Sequence, residues 1–262
     1  MNLDLKNKTA LVCGASQGLG FAVAAELALL GANIIAASRN ENKLQQAIQN
    51  LDISKEQHHS YLVMDLSDPG EVKKVLSSYL EKGSVIHILI NNAGGPPSMP
   101  MIETDAAEIE KALRTHVISS HILAQLAVPG MQAAGFGRIV NIVSISVKQP
   151  ISGLGISNLV RAAVANWAKT LANEISGTGI TVNNVLPGYT NTERMEYMLD
   201  KRAVEQGIEK ENMFKRITKS IPVGRVGEPA ELGAAVAFLC SPAAAYINGI
   251  NLTVDGGQTG SL

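Results

Sequence analysis

Seven short runs of apolar, largely β-branched residues recur along the chain, separated by longer stretches in which the apolar positions follow helical spacing. The runs are TALVCG (9–14), NIIAAS (33–38), SYLVMD (60–65), IHILIN (86–91), GRIVNIVS (137–144), TVNNVLP (181–187) and INLTVDG (250–256). They are near-continuously apolar rather than alternating, as strands buried on both faces are. Between them, FAVAAELALLGA (21–32), AEIEKALRTHVISSHILAQLAV (107–128) and GISNLVRAAVANWAKTLANEIS (155–176) read as amphipathic helices. Strands regularly spaced by helices build βαβ units and a parallel sheet. No linker or repeat interrupts the pattern, so residues 1–262 are expected to form a single doubly wound α/β domain.

One stretch breaks the rhythm. NTERMEYMLDKRAVEQGIEKENMFKRITKS (191–220) is charged, contains methionine and has no strand. It follows a strand end, where ligands sit in open α/β sheets. It is either a substrate lid or a surface helical pair.

Composition narrows the function. With 46% hydrophobic residues, 17% charged residues and a formal net charge of -1, the chain is globular and gives no reason to expect nucleic acid or an acidic membrane as partner. No apolar stretch reaches spanning length, and the N-terminal segment lacks the pattern of a secretory signal. A cytoplasmic protein is the expectation. Cys13 and Cys240 are too few for a disulfide framework and have no metal-ligand spacing.

CGASQGLG (13–20) links the first strand to the first helix and places glycines at 14, 18 and 20. Glycine permits a tight turn, close approach of backbone to a pyrophosphate and close helix–strand packing, while the helix N-terminus offers free N–H groups. In its strand–turn–helix context the motif reads as a dinucleotide site, with Gly14, Ser16, Gly18, Leu19 and Gly20 as its candidates. The second strand ends in Ser38 and Arg39, where an acidic residue would select NAD. Ser38 has no charge, and the Arg39 fork suits a 2′-phosphate, so NADP(H) is favoured over NAD(H). The plainer reading of Arg39 is an exposed cation. Asp65, with Leu66, ends the third strand. It either accepts from an adenine amino group or caps the following helix.

These features, with NNAG (91–94), GRIVNIVS, PGYTNT (187–192) and IPVGRVGEPAEL…YINGINLTVDGG near the end, resemble the short-chain dehydrogenase/reductase family, in the branch of the 3-oxoacyl-acyl-carrier-protein reductases. The resemblance runs over essentially the whole chain. It implies a Rossmann fold with a seven-stranded parallel sheet and a homotetramer or homodimer. It also places Asn91, Ala93 and Gly94 at the adenine ribose and central strands, and Pro187, Gly188, Thr190 and Thr192 at the nicotinamide. Ala162, Ala163, Ala165 and Trp167 keep the pattern of a subunit interface.

In that family an Asn, a Ser, a Tyr and a Lys four residues after the Tyr carry the chemistry. The phenol supplies a proton to the alkoxide left by hydride transfer, the lysine tunes it and holds the ribose, and the serine polarises the substrate oxygen. The corresponding positions are His116, Ser144, Ser157 and Arg161, so only the serine is retained. Ser157 is a far weaker acid than tyrosine. Arg161 keeps a positive charge but is not a titratable relay. His116 is either a proton shuttle or a packed helix residue. Tyr189 is a further hydroxyl near the nicotinamide, and GGPPSMP (94–100) is expected to form one pocket wall. Two functions follow. One is an NADP(H)-dependent oxidoreductase for a carbonyl or secondary alcohol, with Ser144, Ser157, Arg161 and His116 in a non-standard site. The other is a dinucleotide-binding relative with little or no turnover, acting as sensor, scaffold or partner subunit.

Overall fold

The computed structural model describes residues 1–261. Its strands are β1 (Thr9–Cys13), β2 (Asn33–Ser38), β3 (Ser60–Val63), β4 (Ile88–Asn91), β5 (Gly137–Ile142), β6 (Ile180–Pro187) and β7 (Asn251–Val254). Its helices are α1 (Gly18–Leu29), α2 (Glu41–Gln49), α3 (Pro69–Leu80), α4 (Ala106–Leu113), α5 (Ser119–Ala133), α6 (Gly155–Glu174), α7 (Glu193–Gln206), α8 (Lys210–Ser220) and α9 (Pro229–Cys240). The strands form one seven-stranded sheet in the order β3-β2-β1-β4-β5-β6-β7, and every pairing is parallel.

Residue parity explains why the strands read as unbroken apolar runs. Successive strand side chains point to opposite faces, so Ala10, Val12, Ile34, Ala36, Ile88 and Ile90 pack with Val23 and Leu27 of α1 and Val236 of α9. Leu11, Ile35, Ala37 and Leu89 pack on the other face with Leu76 of α3, Leu123 and Ala127 of α5 and Ala168 of α6. Full burial of each Leu, Ile or Val side chain stabilises by about 1.5–3 kcal/mol, so both faces contribute to stability. The strands are shorter than the apolar runs. Met64 and Asp65 follow β3 rather than extending it, and Ile86 is buried in the core although it precedes β4.

A chain of amides crosses the interior. Asn91 Nδ2 donates to Asn141 Oδ1 at 2.8 Å, Asn141 Nδ2 to Asn184 Oδ1 at 2.9 Å, and Asn184 Nδ2 to Asn251 Oδ1 at 2.8 Å. The four asparagines are register partners on β4, β5, β6 and β7. Buried polar groups cost free energy unless paired, and the shared register lets each amide serve the next.

Residues 191–220 form the α7–α8 hairpin, with its own small core of Met195, Leu199, Ala203, Met213 and Ile217. Thr192 caps α7 by accepting from Met195 N at 3.3 Å, and Gly207 ends it in the left-handed conformation at φ 62°. Lys210 ties the two helices, lying 2.6 Å from Glu196 and 2.9 Å from Asp200.

Candidate active site

The strand order reverses direction between β1 and β4, and ligands of open parallel sheets bind at such a switch point, beyond the carboxyl ends of the strands. A cavity of about 960 Å³ lies there. Its walls are the segments that follow β1 to β6, together with α4, the start of α6 and one face of α7.

At one end stands the glycine turn. Gly14 and Gly18 have φ of +64° and +58°, a region that disfavours side chains. A Cβ on Gly14 would sit 2.6 Å from Asn92 Nδ2, and one on Gly20 would sit 2.2 Å from Gly14 O. The turn is therefore a cradle that only glycine permits. Gln17, which precedes α1, makes no side-chain capping bond to the first turn, so that end of α1 is left to an anion. Ser38 Oγ is buried without a partner. Arg39 stands beside Asp65 at 3.9 Å. Asp65 Oδ1 accepts from Ser67 N at 2.8 Å, whereas Asp68 caps α3, so the capping reading of Asp65 does not hold. A cradle of backbone N–H and guanidinium donors, with Asp65 as an acceptor beside it, fits a dinucleotide.

Gly14, Ser16, Gly18, Leu19, Ser38, Arg39, Asp65, Leu66, Ala93, Gly94, Pro187, Gly188, Thr190 and Thr192 all line the cavity. Gly20 and Asn91 do not. Gly20 is buried against the Gly14 carbonyl, and Asn91 belongs to the amide chain inside the sheet. Asn92 lines the cavity instead, its Nδ2 donating to Cys13 O at 3.2 Å. It leaves the β4 end on the opposite parity from Asn91, which the NNAG motif alone does not resolve.

At the other end His116, Ser144, Ser157 and Arg161 line the same cavity. Ser144 Oγ accepts from Ser146 N at 3.1 Å, which leaves its own proton free to donate. Ser157 lies in the first turn of α6, half-buried. Arg161 is buried. Its Nη1 donates to Ile142 O at 2.8 Å and its Nη2 to Ala93 O at 3.4 Å. Burial, and then the nearby Arg194, lower its pKa to about 10, which keeps it cationic at neutral pH. Tyr189 Oη accepts from Arg202 Nη1 at 2.7 Å, and its ring packs on the α7–α8 core. Pro96, Pro97 and Ser98 form a wall of the cavity.

His116 sits in a π-helical turn, Arg114–Ile118, between α4 and α5. Such turns break the regular helix at functional sites. The imidazole is 4% exposed. Burial first, then the charge of Arg161, push its pKa down to about 3 against the Gly94 backbone, which raises it. A group held neutral at physiological pH does not shuttle protons there, so the packed-residue reading is favoured over the shuttle. The linkage has a definite sign. The unfolded chain takes up this proton below pH about 6.5, while the folded chain waits until about 3. Stability is therefore lost as pH falls between those values, by up to about 1.4 kcal/mol per pH unit. Urea midpoints between pH 7 and pH 5 are expected to fall less steeply for His116→Asn than for the parent chain. Equal slopes would contradict the buried neutral imidazole.

Cys13 and Cys240 are buried, and desolvation pushes both thiols up to about 12, so neither is a nucleophile at neutral pH. Among the described residues no His, Cys, Asp or Glu cluster could hold a metal. No helix among them is long and apolar enough to cross a membrane.

A seven-stranded parallel sheet with a glycine cradle at its switch point defines a dinucleotide-binding Rossmann protein. The model described as enoyl-(acyl carrier protein) reductase matches residues 14–259. A tropinone reductase homolog of Arabidopsis thaliana is 34% identical over 257 residues, covering 98% of this chain and 94% of the plant protein. The 3-oxoacyl-[acyl-carrier-protein] reductase of Vibrio cholerae is 30% identical over 256 residues, covering 98% and 99%. The structure of L-sorbose reductase from Gluconobacter frateurii, complexed with NADPH and L-sorbose, superposes with a TM-score of 0.93 at 29% identity and covers all of both chains. The chain belongs to the short-chain dehydrogenase/reductase family.

Proposed function

We propose that the protein is an NADP(H)-dependent oxidoreductase that reduces a carbonyl, or oxidises a secondary alcohol, through a serine–arginine site. The observation that carries this reading is one continuous cavity with the dinucleotide cradle at one end and Ser144, Ser157 and Arg161 at the other. The cradle, Ser38 and Arg39 would hold the dinucleotide, with the Arg39 fork on a 2′-phosphate. When bound, the cofactor supplies the hydride.

The remaining chemistry falls to side chains of this chain. Ser144 donates its free proton as a hydrogen bond to the carbonyl oxygen. Arg161, fixed by the Ile142 and Ala93 carbonyls, stabilises the negative charge that develops on that oxygen and can take ribose hydroxyls. Ser157 completes the polar wall and relays a proton to the alkoxide, its own hydroxyl being re-protonated by solvent water. Because no group of intermediate pKa serves as the acid, protonation depends on electrostatic stabilisation more than on a tuned phenol. The α7–α8 hairpin serves as the substrate lid of the domain. The small-residue pattern of α6, with Ala162 exposed, supports a homodimer or homotetramer, and a cytoplasmic location belongs to the same reading.

Two variants test this reading. Arg39→Gln should weaken NADPH binding at least about tenfold and leave NADH binding nearly unchanged. Equal losses for both cofactors would refute the 2′-phosphate role. Ser157→Tyr with Arg161→Lys tests the site itself. If reduction appears only in that double variant, the natural pair is not catalytic.

A further inference from the structure

We infer that the far end of this cavity is an oxyanion site, so that the substrate carries a carboxylate or a phosphate ester in addition to its reacting carbonyl. The presence of a reacting carbonyl rests on the oxidoreductase reading; the anion site rests on charge placement.

The face of α7 toward the cavity carries Arg194, Lys201 and Arg202, with Tyr197 and Met198 between them. These positions recur at helical spacing, so they share one side while Met195, Leu199 and Ala203 form the core of the hairpin. Arg161 of α6 adds a fourth cation. Their partners are neutral or weak. Arg194 Nη2 donates to Pro96 O at 3.2 Å, Arg202 to the Tyr189 hydroxyl, and Lys201 Nζ to Ser98 O at 3.4 Å. Among the described residues only Lys201 of these four has a carboxylate within ion-pair distance, Glu205 at 3.7 Å. Of the other acidic residues in the wall, Glu193 accepts from Gln17 at 2.8 Å, and Asp65 lies at the adenosine end beside Arg39. Glu108 is the remaining one.

Arg161 is the most telling member. It is nine-tenths buried, its Nε has no hydrogen-bond partner, and it faces no counter-ion. A buried cation is costly without an opposite charge. Arg161 and Arg194 line the same cavity, and the proximity of Arg194 is one cause of the lowered Arg161 pKa. The dinucleotide phosphates would be held at the opposite end by the glycine turn, where Arg39 and Lys43 also line the wall. An oxyanion between α6 and α7 would therefore relieve the positive charge of Arg161, Arg194 and Arg202, which have no carboxylate partner among the described residues, whereas Lys201 has Glu205. Guanidinium forks match carboxylate and phosphate alike.

The test uses isothermal titration of NADPH-saturated protein with two matched pairs: 4-oxopentanoate against its methyl ester, and dihydroxyacetone phosphate against dihydroxyacetone. The charged member of at least one pair is expected to bind about 10-fold tighter or more, and the pair that shows this identifies the oxyanion. Arg194→Gln and Arg202→Gln, both less buried than Arg161 and less damaging to folding, should shrink that preference to about twofold. Affinity for NADPH and for the neutral member should persist. Equal affinity within both pairs, or no binding of either charged probe, overturns the inference. So does an Arg194→Gln variant that loses NADPH affinity but keeps the preference, because the cation then serves the pyrophosphate. A charge preference without turnover of any carbonyl upholds the anion site and defeats the oxidoreductase reading. Turnover of neutral ketones without a charge preference does the reverse.

Discussion

Replacing Gly20 by alanine lowers NADPH affinity at least about 100-fold and the melting temperature by roughly 5 °C. The added Cβ would lie 2.2 Å from Gly14 O, 2.6 Å from Gly14 C and 2.8 Å from Asn92 Nδ2. Two of those atoms are backbone, so the turn itself must move. Forced overpacking costs about 1–3 kcal/mol, and in a chain of this size each kcal/mol shifts the melting temperature by about 2–4 °C. Affinity suffers more than stability because the displaced carbonyl belongs to the phosphate cradle. Gly130→Ala provides the contrast. Its Cβ would meet only Val85, at an ordinary 3.4 Å, inside α5, and a helix-interior Gly→Ala change is worth about 0.5–1 kcal/mol in favour of folding. Calorimetry and fluorescence titration check both. Near-parental affinity in Gly20→Ala would show that helix α1 does not need its close approach to the turn.

Asn141→Ala is expected to be the most destabilising single change in the sheet. It removes the acceptor of Asn91 Nδ2 and the donor to Asn184 Oδ1. Both partners are buried, and each unsatisfied group costs about 1–3 kcal/mol. Together the losses come to about 2–6 kcal/mol, or roughly 5–20 °C in melting temperature. Thermal circular dichroism reads this directly. A shift under about 2 °C would show that the amides do not act as a chain. NADPH affinity should change less than stability does, since Asn141 does not line the cavity.

The sheet was legible because seven apolar runs separated by helical patterns allow few arrangements, and the dinucleotide end because a Gly-rich turn between strand and helix has one common purpose. Other features depended on geometry that spacing does not carry. Asn91 and Asn92 are adjacent letters, yet opposite parity sends one into the sheet and the other to the cavity. Asp65 and Asp68 both fit a cap, and only the backbone path after β3 distinguishes them. His116 reads as a titratable group, and its burial beside Arg161, which lowers its pKa, is not visible in the spacing. Met195 serves both the hairpin core and the cavity wall, while Arg194, Lys201 and Arg202 give the cavity face its charge. Their helical spacing was visible in the sequence, but not the direction in which that face turns.

Hydride transfer is expected in a site where Ser157 and Arg161 stand in place of the family's tyrosine and lysine, beside the retained Ser144. The most direct measurement is NADPH binding by fluorescence, followed by NADPH oxidation against a panel of ketones, oxo acids and 3-oxoacyl thioesters, for the parent chain and Ser144→Ala. Tight binding in both, with turnover in the parent and a loss of at least about 100-fold in kcat in the variant, is the predicted result. Tight binding with no oxidation by the parent on any member of the panel would contradict it and leave a dinucleotide-binding protein without dehydrogenase chemistry.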